Sequence, residues 1–243
     1  MDNATALGTT EEPKGALWRL QGIFFQPKKT FEEINKKPTW LIALIAILII
    51  GALGLLLLST MIGLDNVADQ MIQQNPRASE MPEEQREMAI SFTKGTFVVG
   101  ALVGAPIIGL IVSLALMLAF WVAGSSAGFG KVFSVVVHSW FAYSVVATLL
   151  SALVVLLAED PTELDVMNMV ATHLGLLVDK TQSPVLFAFL SSLDILSVYM
   201  IFLLSLGMSV ISRKSVGTAA MLIVILWLVY VLIFKVGMTA LFT

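Results

Sequence analysis

Five runs of about 20 or more mostly apolar residues dominate this chain: Trp40 to Ile62, Gly95 to Ala123, Val132 to Ala158, Val185 to Ser212 and Val216 to Phe242. A helix needs about 20 such residues to cross the roughly 30 Å hydrocarbon layer of a bilayer, and a backbone in lipid must satisfy its own hydrogen bonds. The expected fold is therefore all-α: a polytopic membrane protein of five transmembrane helices, with spans at about 40–62, 95–123, 132–158, 185–212 and 216–242. Residues 1–15 read as a polar tail, 16–38 as short interfacial helices and 39–243 as the membrane domain. The five runs hold more than half of the 243 residues, so no separate soluble catalytic domain fits beside them.

Composition narrows the chemistry further. With 58% hydrophobic and 13% charged residues the chain lies outside the range of water-soluble domains. The absence of cysteine removes disulfides, thiolate metal sites and thiol nucleophiles together. The two histidines, His138 and His173, are too far apart in sequence to suggest a metal-ligand spacing. A net charge of -3 without a basic, aromatic-interleaved patch points away from nucleic acid. No glycine-rich phosphate loop follows a strand, and no GxS motif has a buried His partner, so neither a cofactor site nor a catalytic site is expected. Glu83-Glu84-Gln85-Arg86 falls one residue short of the EExxxR pattern of intramembrane prenyl-protein proteases. Residues 1–15 carry Asp2, Glu11 and Glu12 and no apolar core, the opposite of a cleavable signal peptide, so the first span is expected to stay as an anchor.

Lys and Arg set the expected orientation. Six precede the first span (Lys14, Arg19, Lys28, Lys29, Lys36 and Lys37); Lys131, Arg213 and Lys214 fall on the same side of a five-span chain. Arg77, Arg86, Lys94 and Lys180 fall on the other side, and nine against four places the N-terminus in the cytoplasm and the C-terminus outside, in the cell (inner) membrane.

Between Ala16 and Pro27, Leu17, Trp18, Leu20, Ile23, Phe24 and Phe25 form a run too short to span, which reads as a helix lying among headgroups. Thr30 and Glu33 have capping-box spacing for a second short helix, with Phe31 and Ile34 on its apolar face and Lys36 and Lys37 beside anionic headgroups. This segment is either a topological anchor or a docking site for a cytoplasmic protein, with Phe25, Pro27, Phe31 and Ile34 as the docking residues. In the first outer loop Val67, Met71 and Ile72 have helical spacing until Pro76, and a helix starting near Pro82 runs on into the second span. In the second, Asp160-Pro161 opens a helix whose apolar stripe is Val166, Met169, Val170, His173, Leu174 and Leu177.

Ionisable residues inside a span cost about 2.5 to 3.5 kcal/mol and need a reason. Asp194 and Lys235 are expected at similar depth in neighbouring spans, where they form an ion pair, or Lys235 snorkels outward while Asp194 bonds nearby hydroxyls and backbone. Ser191 and Ser197 flank Asp194 at helical spacing and continue into a polar stripe through Ser205 and Ser212, which either lines a path or bonds the bundle together. His138, near the cytoplasmic end of the third span, is a proton relay or a hydrogen-bonded interior histidine. Gly100 and Gly104 form a GxxxG followed by Pro106, expected as a tight packing face between spans of one molecule, with a homo-oligomer seam or a ligand cleft as the alternatives.

The segment Leu20-Gln21-Gly22-Ile23-Phe24-Phe25-Gln26-Pro27-Lys28-Lys29-Thr30-Phe31-Glu32-Glu33-Ile34, followed by Pro38 and Trp40, resembles the opening motif of bacterial Yip-domain (Ypt-interacting-protein) membrane proteins. Leu193-Asp194-Ile195-Leu196-Ser197, Leu204-Ser205-Leu206-Gly207-Met208, Arg213-Lys214 and Trp227-Leu228 are similar to the same family, from about residue 16 onward. Tyr199 stands where relatives often carry Trp, and a Pro common between Ala142 and Val146 is missing. The resemblance implies five spans with a cytoplasmic N-terminus and supplies no established activity; Asp194 and the Pro27 to Ile34 block are the matched positions. The expected function is that of a noncatalytic scaffold whose partners are the lipid bilayer and a membrane or cytoplasmic protein. Its rival is a small-solute, ion or proton transporter centred on Asp194 with Lys235 as counter-ion.

Overall fold

A computed structural model describes residues 14–74, 78 and 81–242. Residues 1–13 of the polar tail, Pro76 and Arg77 lie outside these described residues. The helices are α1 (Ala16–Phe25), α2 (Pro27–Lys36), α3 (Leu41–Met61), α4 (Leu64–Gln73), α5 (Glu83–Val122), α6 (Phe129–Leu157), α7 (Pro184–Leu190), α8 (Ile195–Ser212) and α9 (Val216–Tyr230), which passes through a π-helical stretch (Val231–Gly237) into α10 (Met238–Phe242). Five helical segments are long and apolar enough to cross a membrane: Leu41–Met61, Glu83–Val122, Phe129–Leu157, Ile195–Ser212 and Val216–Leu241. The all-helical, five-span architecture expected from the apolar runs is therefore present, with short helices ahead of it.

Short connections make neighbours of α5 and α6 and of α8 and α9, and both pairs pack together. The core lies where α6 and α8 meet. The apolar window of α8 is 44% buried against 11–17% for the other spans, so α8 is the central helix and its side chains face protein on most sides. Val132 to Ser139 on α6 are buried without interruption. The apolar residues of that stretch join Leu203, Leu204 and Met208 of α8 and Leu116 and Phe120 of α5 in one cluster.

At the distal end, Gly63 turns the chain at φ +86, a conformation open to glycine, and sends α4 back along α5. Asp65 and Asp69, one turn apart on α4, pair with Lys94 (2.6 Å) and Arg86 (2.7 Å) of α5. As the sequence suggested, α5 starts just after Pro82 and runs unbroken through Pro106 for 40 residues. That is about 60 Å, roughly twice the hydrocarbon thickness, so its N-terminal part stands outside the bilayer and carries the distal cap.

Three expectations are corrected. The fourth apolar run is not one helix: α7 ends at Leu190 and α8 begins at Ile195. Ser191 and Ser192 turn their hydroxyls back to the Ala188 carbonyl (3.1 and 3.0 Å), and the extended Asp194 caps α8 by accepting from the Ser197 backbone N–H (3.3 Å). Short polar side chains that bond the local backbone end a helix that hydropathy alone would continue. The stripe from Val166 to Leu177 is likewise not an α-helix but a series of 3-10 turns. Asp160, Asp165 and Asp179 each accept a backbone N–H two residues on, and these local turns win over helix propagation. Val166 and Met169 nevertheless pack on Ile62, Val67 and Val155. Finally, the second short helix starts at Pro27 rather than at a Thr30 capping box: Pro occupies the first turn, where its missing N–H costs nothing, and Thr30 Oγ1 donates to the Gln26 carbonyl (3.1 Å).

Candidate functional site

The polar residues singled out in the sequence fall into two clusters at opposite ends of the bundle. At the N-terminal end, α1 and α2 fold as an antiparallel hairpin built into the bundle. Gly22 permits the close approach: a Cβ there would lie 2.5 Å from Thr30 Oγ1. Arg19 of α1 is buried, at 2% exposure, and its guanidinium donates to the Lys37 carbonyl (2.6 Å), to Thr39 Oγ1 (2.7 Å) and to the Lys14 carbonyl (3.2 Å). A planar cation placed on the last carbonyls of α2 satisfies acceptors that a helix end leaves open and complements its dipole. Burial pulls the guanidinium pKa down and the nearby Glu33 charge opposes that shift.

The hairpin's apolar side faces the spans. Phe31 and Ile34 are fully buried, and Phe31 lies against Gly207 of α8, where an added Cβ would collide with its ring at 2.9 Å and with Val135. These two residues are thus core, which corrects their assignment as docking residues: the same apolar face that suggested a partner is consumed by α8. Phe25 stays 77% exposed, and Pro27 is partly exposed at the start of α2. Lys131 Nζ donates to Asn35 Oδ1 (2.7 Å), and ring contacts join Phe24 to Phe141 (5.8 Å) and Trp40 to Phe133 (5.4 Å). His138 lies beneath this hairpin, 2% exposed, its Nδ1–H donating to the Ser134 carbonyl at 2.8 Å.

The distal cluster surrounds the break between α7 and α8. Thr172 Oγ1 donates to Asp194 Oδ1, and a short antiparallel bridge pairs His173 with Asp194 through Leu174 N–H to Leu193 O (3.1 Å). Both ring nitrogens of His173 are shut off from solvent without a hydrogen-bond partner among the described residues, and the ring packs edge-on against Phe187 (6.0 Å). Lys235 sits in the π-helical stretch and lies close enough to feel the charge of Asp194, as does Tyr143, yet no nitrogen–oxygen contact within 4.0 Å joins Lys235 to Asp194. The expected ion pair is therefore absent, because Asp194 turns toward Thr172 and its own helix terminus. Asp194 and His138 are not brought together.

The serines of the fourth apolar run bond to their own backbone. Ser191, Ser205, Ser209 and Ser212 donate to carbonyls of their own helices, as do Ser113 and Ser134. Of the predicted set, Ser197 serves through its backbone N–H. Gly100 and Gly104 have open space where a Cβ would stand, which corrects their reading as an intramolecular packing face. The close approach of α3 to α5 is made instead at Gly51, where an added Cβ would lie 3.2 Å from the Ala101 carbonyl oxygen. Among the described residues no group of three or more His, Asp or Glu side chains is placed to hold a metal.

Sequence reasoning missed Arg19, Thr172 and His173 as partners. A lone Arg among Leu17, Trp18 and Leu20 signals a buried cation in search of carbonyls; nothing local signalled Thr172, whose role depends on a contact 22 positions away.

Five apolar helices, a folded N-terminal hairpin and a discontinuous fourth segment define a multi-pass membrane protein. The Yip1 domain matches residues 22–237, nearly all of the described chain, and the protein belongs to the Yip1-domain family. No curated protein and no solved structure matches it.

Proposed function

We propose that this Yip1-domain protein is a noncatalytic membrane-organising scaffold, with its N-terminus in the cytoplasm, that presents its N-terminal hairpin as a fixed surface to lipids or to a membrane or cytoplasmic protein. The observation that supports this most is the docking of α2 on α8, with Phe31 seated against Gly207 and Arg19 buried over Lys37 and Thr39. A hairpin held this way has a rigid outward face, and a binding surface gains affinity when it is ordered before its partner arrives. Phe25, at 77% exposure, is kept as a contact residue of this proposal, and Leu17, at 76%, takes the place of Phe31 and Ile34.

A transport role is the second reading. It draws on the break at Asp194, since discontinuous helices with polar termini at membrane depth are a recurring way to build a substrate site, and on the unpartnered His173 imidazole beside it. One experiment separates the two. In proteoliposomes of the full-length protein, the scaffold reading expects proton and solute flux equal to protein-free vesicles for both wild type and Asp194→Asn, and photo-crosslinking from position 17 or 25 in native membranes to capture neighbours. Flux above background that Asp194→Asn abolishes contradicts the scaffold reading and supports transport.

A further inference from the structure

We infer that the tip of the N-terminal hairpin is a binding site for anionic phospholipid in the leaflet on the N-terminal side. This rests on the hairpin being fixed in the bundle, as proposed above, and it names the partner of that surface.

Three observations converge. First, the tip lies at the bilayer. Arg19 is tied to Lys37 and Thr39, which directly precede α3, and Trp40 at the mouth of that span packs on Phe133. Phe24 packs on Phe141, eight residues further along α6 in the direction that leads into the membrane. At the rise of an α-helix that is about 12 Å beyond the Trp40 level, so the α1–α2 turn is not held out in water. Second, the outward side of the hairpin is apolar: Leu17 and Phe25, two helical turns apart on one side of α1, are exposed to whatever surrounds the hairpin. Third, Lys28 and Lys29 follow at once, both exposed, and among the described residues no carboxylate lies within 4.0 Å of either ammonium. Of the hairpin's other charges, Glu33 accepts from the Lys14 N–H and from Lys36, and Lys14 lies over the Trp18 ring; the exposed Glu32, one turn beyond Lys28 and Lys29, leaves this part of α2 with a net positive charge.

Two ammonium groups on a tip that lies within the bilayer, with no carboxylate within 4.0 Å among the described residues, favour an anion that is itself attached to acyl chains. An anionic glycerophospholipid fits, with Lys28 and Lys29 reaching back toward the headgroup layer to meet its phosphate and its chains passing Phe25 at the tip. A zwitterionic lipid offers the same chains but carries its own cation next to the phosphate, so charge selects between them.

The chain has no cysteine, so a single reporter can be placed at Gln26→Cys, at the tip, in the full-length protein. A bimane attached there is reconstituted into phosphatidylcholine vesicles containing an equal mole fraction of brominated phosphatidylglycerol or brominated phosphatidylcholine. Quenching by the brominated phosphatidylglycerol is expected to be at least about twofold stronger, and the preference should disappear in Lys28→Gln/Lys29→Gln while an equivalent label at the lipid-facing Leu149→Cys shows none. Equal quenching by the two lipids, or a preference that survives the double substitution, overturns the inference while leaving the fixed hairpin intact. Quenching by neither overturns it too, and points to a covering protein or second copy. A bimane at position 26 whose anisotropy matches a free segment identifies failure of the underlying hairpin reading instead.

Discussion

Gly207 shows how much a single position carries. Its missing side chain is where α2 enters the bundle, and Gly207→Ala drives a methyl into Val135 and the Phe31 ring. Overpacking of this kind costs about 1–3 kcal/mol, so thermal unfolding in nanodiscs should show a lowered midpoint. Gly22→Ala should act the same way against Thr30, and here a second change repairs it: Gly22→Ala/Thr30→Ala removes the hydroxyl that the new methyl strikes, so the double variant should recover most of the loss. Asp194 is tested by its two nearest replacements. Asn keeps an acceptor for the Ser197 N–H and should be nearly as stable as the native protein, whereas Ala loses the cap and leaves Thr172 without its acceptor, at a cost of about 1 kcal/mol or more. At this scale the sequence was informative where one residue is chemically out of place. Asp194 stands out as an acid in an apolar run, but hydropathy does not reveal that it caps the start of a new helix instead of sitting inside a continuous one. Gly207 could not be distinguished from any other membrane-helix glycine, since what it touches lies about 175 positions earlier in the chain.

Among elements, the hairpin is the one whose stability should respond to pH. Lys36 donates to Glu33, as does the Lys14 N–H, and the hydrogen bond from Lys36 holds the Glu33 carboxyl below its ordinary range. A depressed folded-state pKa means the contribution is complete above the unfolded value of about 4.3 and is lost as pH falls through the lowered one. Hairpin amide exchange should therefore be flat from neutral pH down to about 5 after correction for intrinsic rates and rise only below about 4, with Glu33→Gln removing the transition. The C-terminus of α8 offers a test of opposite sign. Arg213 adopts the left-handed conformation at φ 56, and glycine there avoids a cost of about 1 kcal/mol, so Arg213→Gly should raise the unfolding midpoint. The long helices were legible from hydropathy and from Pro82, whereas the start of α2 at Pro27 and the turn at Gly63 came only with the structure. What failed was continuity: Asp160, Asp165, Asp179 and Asp194 each bond backbone close by, and a periodicity of apolar residues does not weigh that competition.

For the molecule as a whole, the α6–α8 core connects the hairpin at one end to the Asp194 break at the other. The number of spans followed from length and composition, because lipid leaves a buried backbone few alternatives. The candidate sites were less legible, since Phe31 and Ile34 on a short amphipathic helix look the same whether that helix faces a headgroup layer, a partner or the protein's own spans. Their burial against α8 is the central claim. It is tested most directly by treating Asn35→Cys/Lys131→Cys with a short bismaleimide in native membranes, at positions whose native side chains lie 2.7 Å apart. Rapid cross-linking within one protomer is the predicted result; both cysteines labelling singly while no intramolecular link forms would show a hairpin detached from the bundle, and would contradict the account.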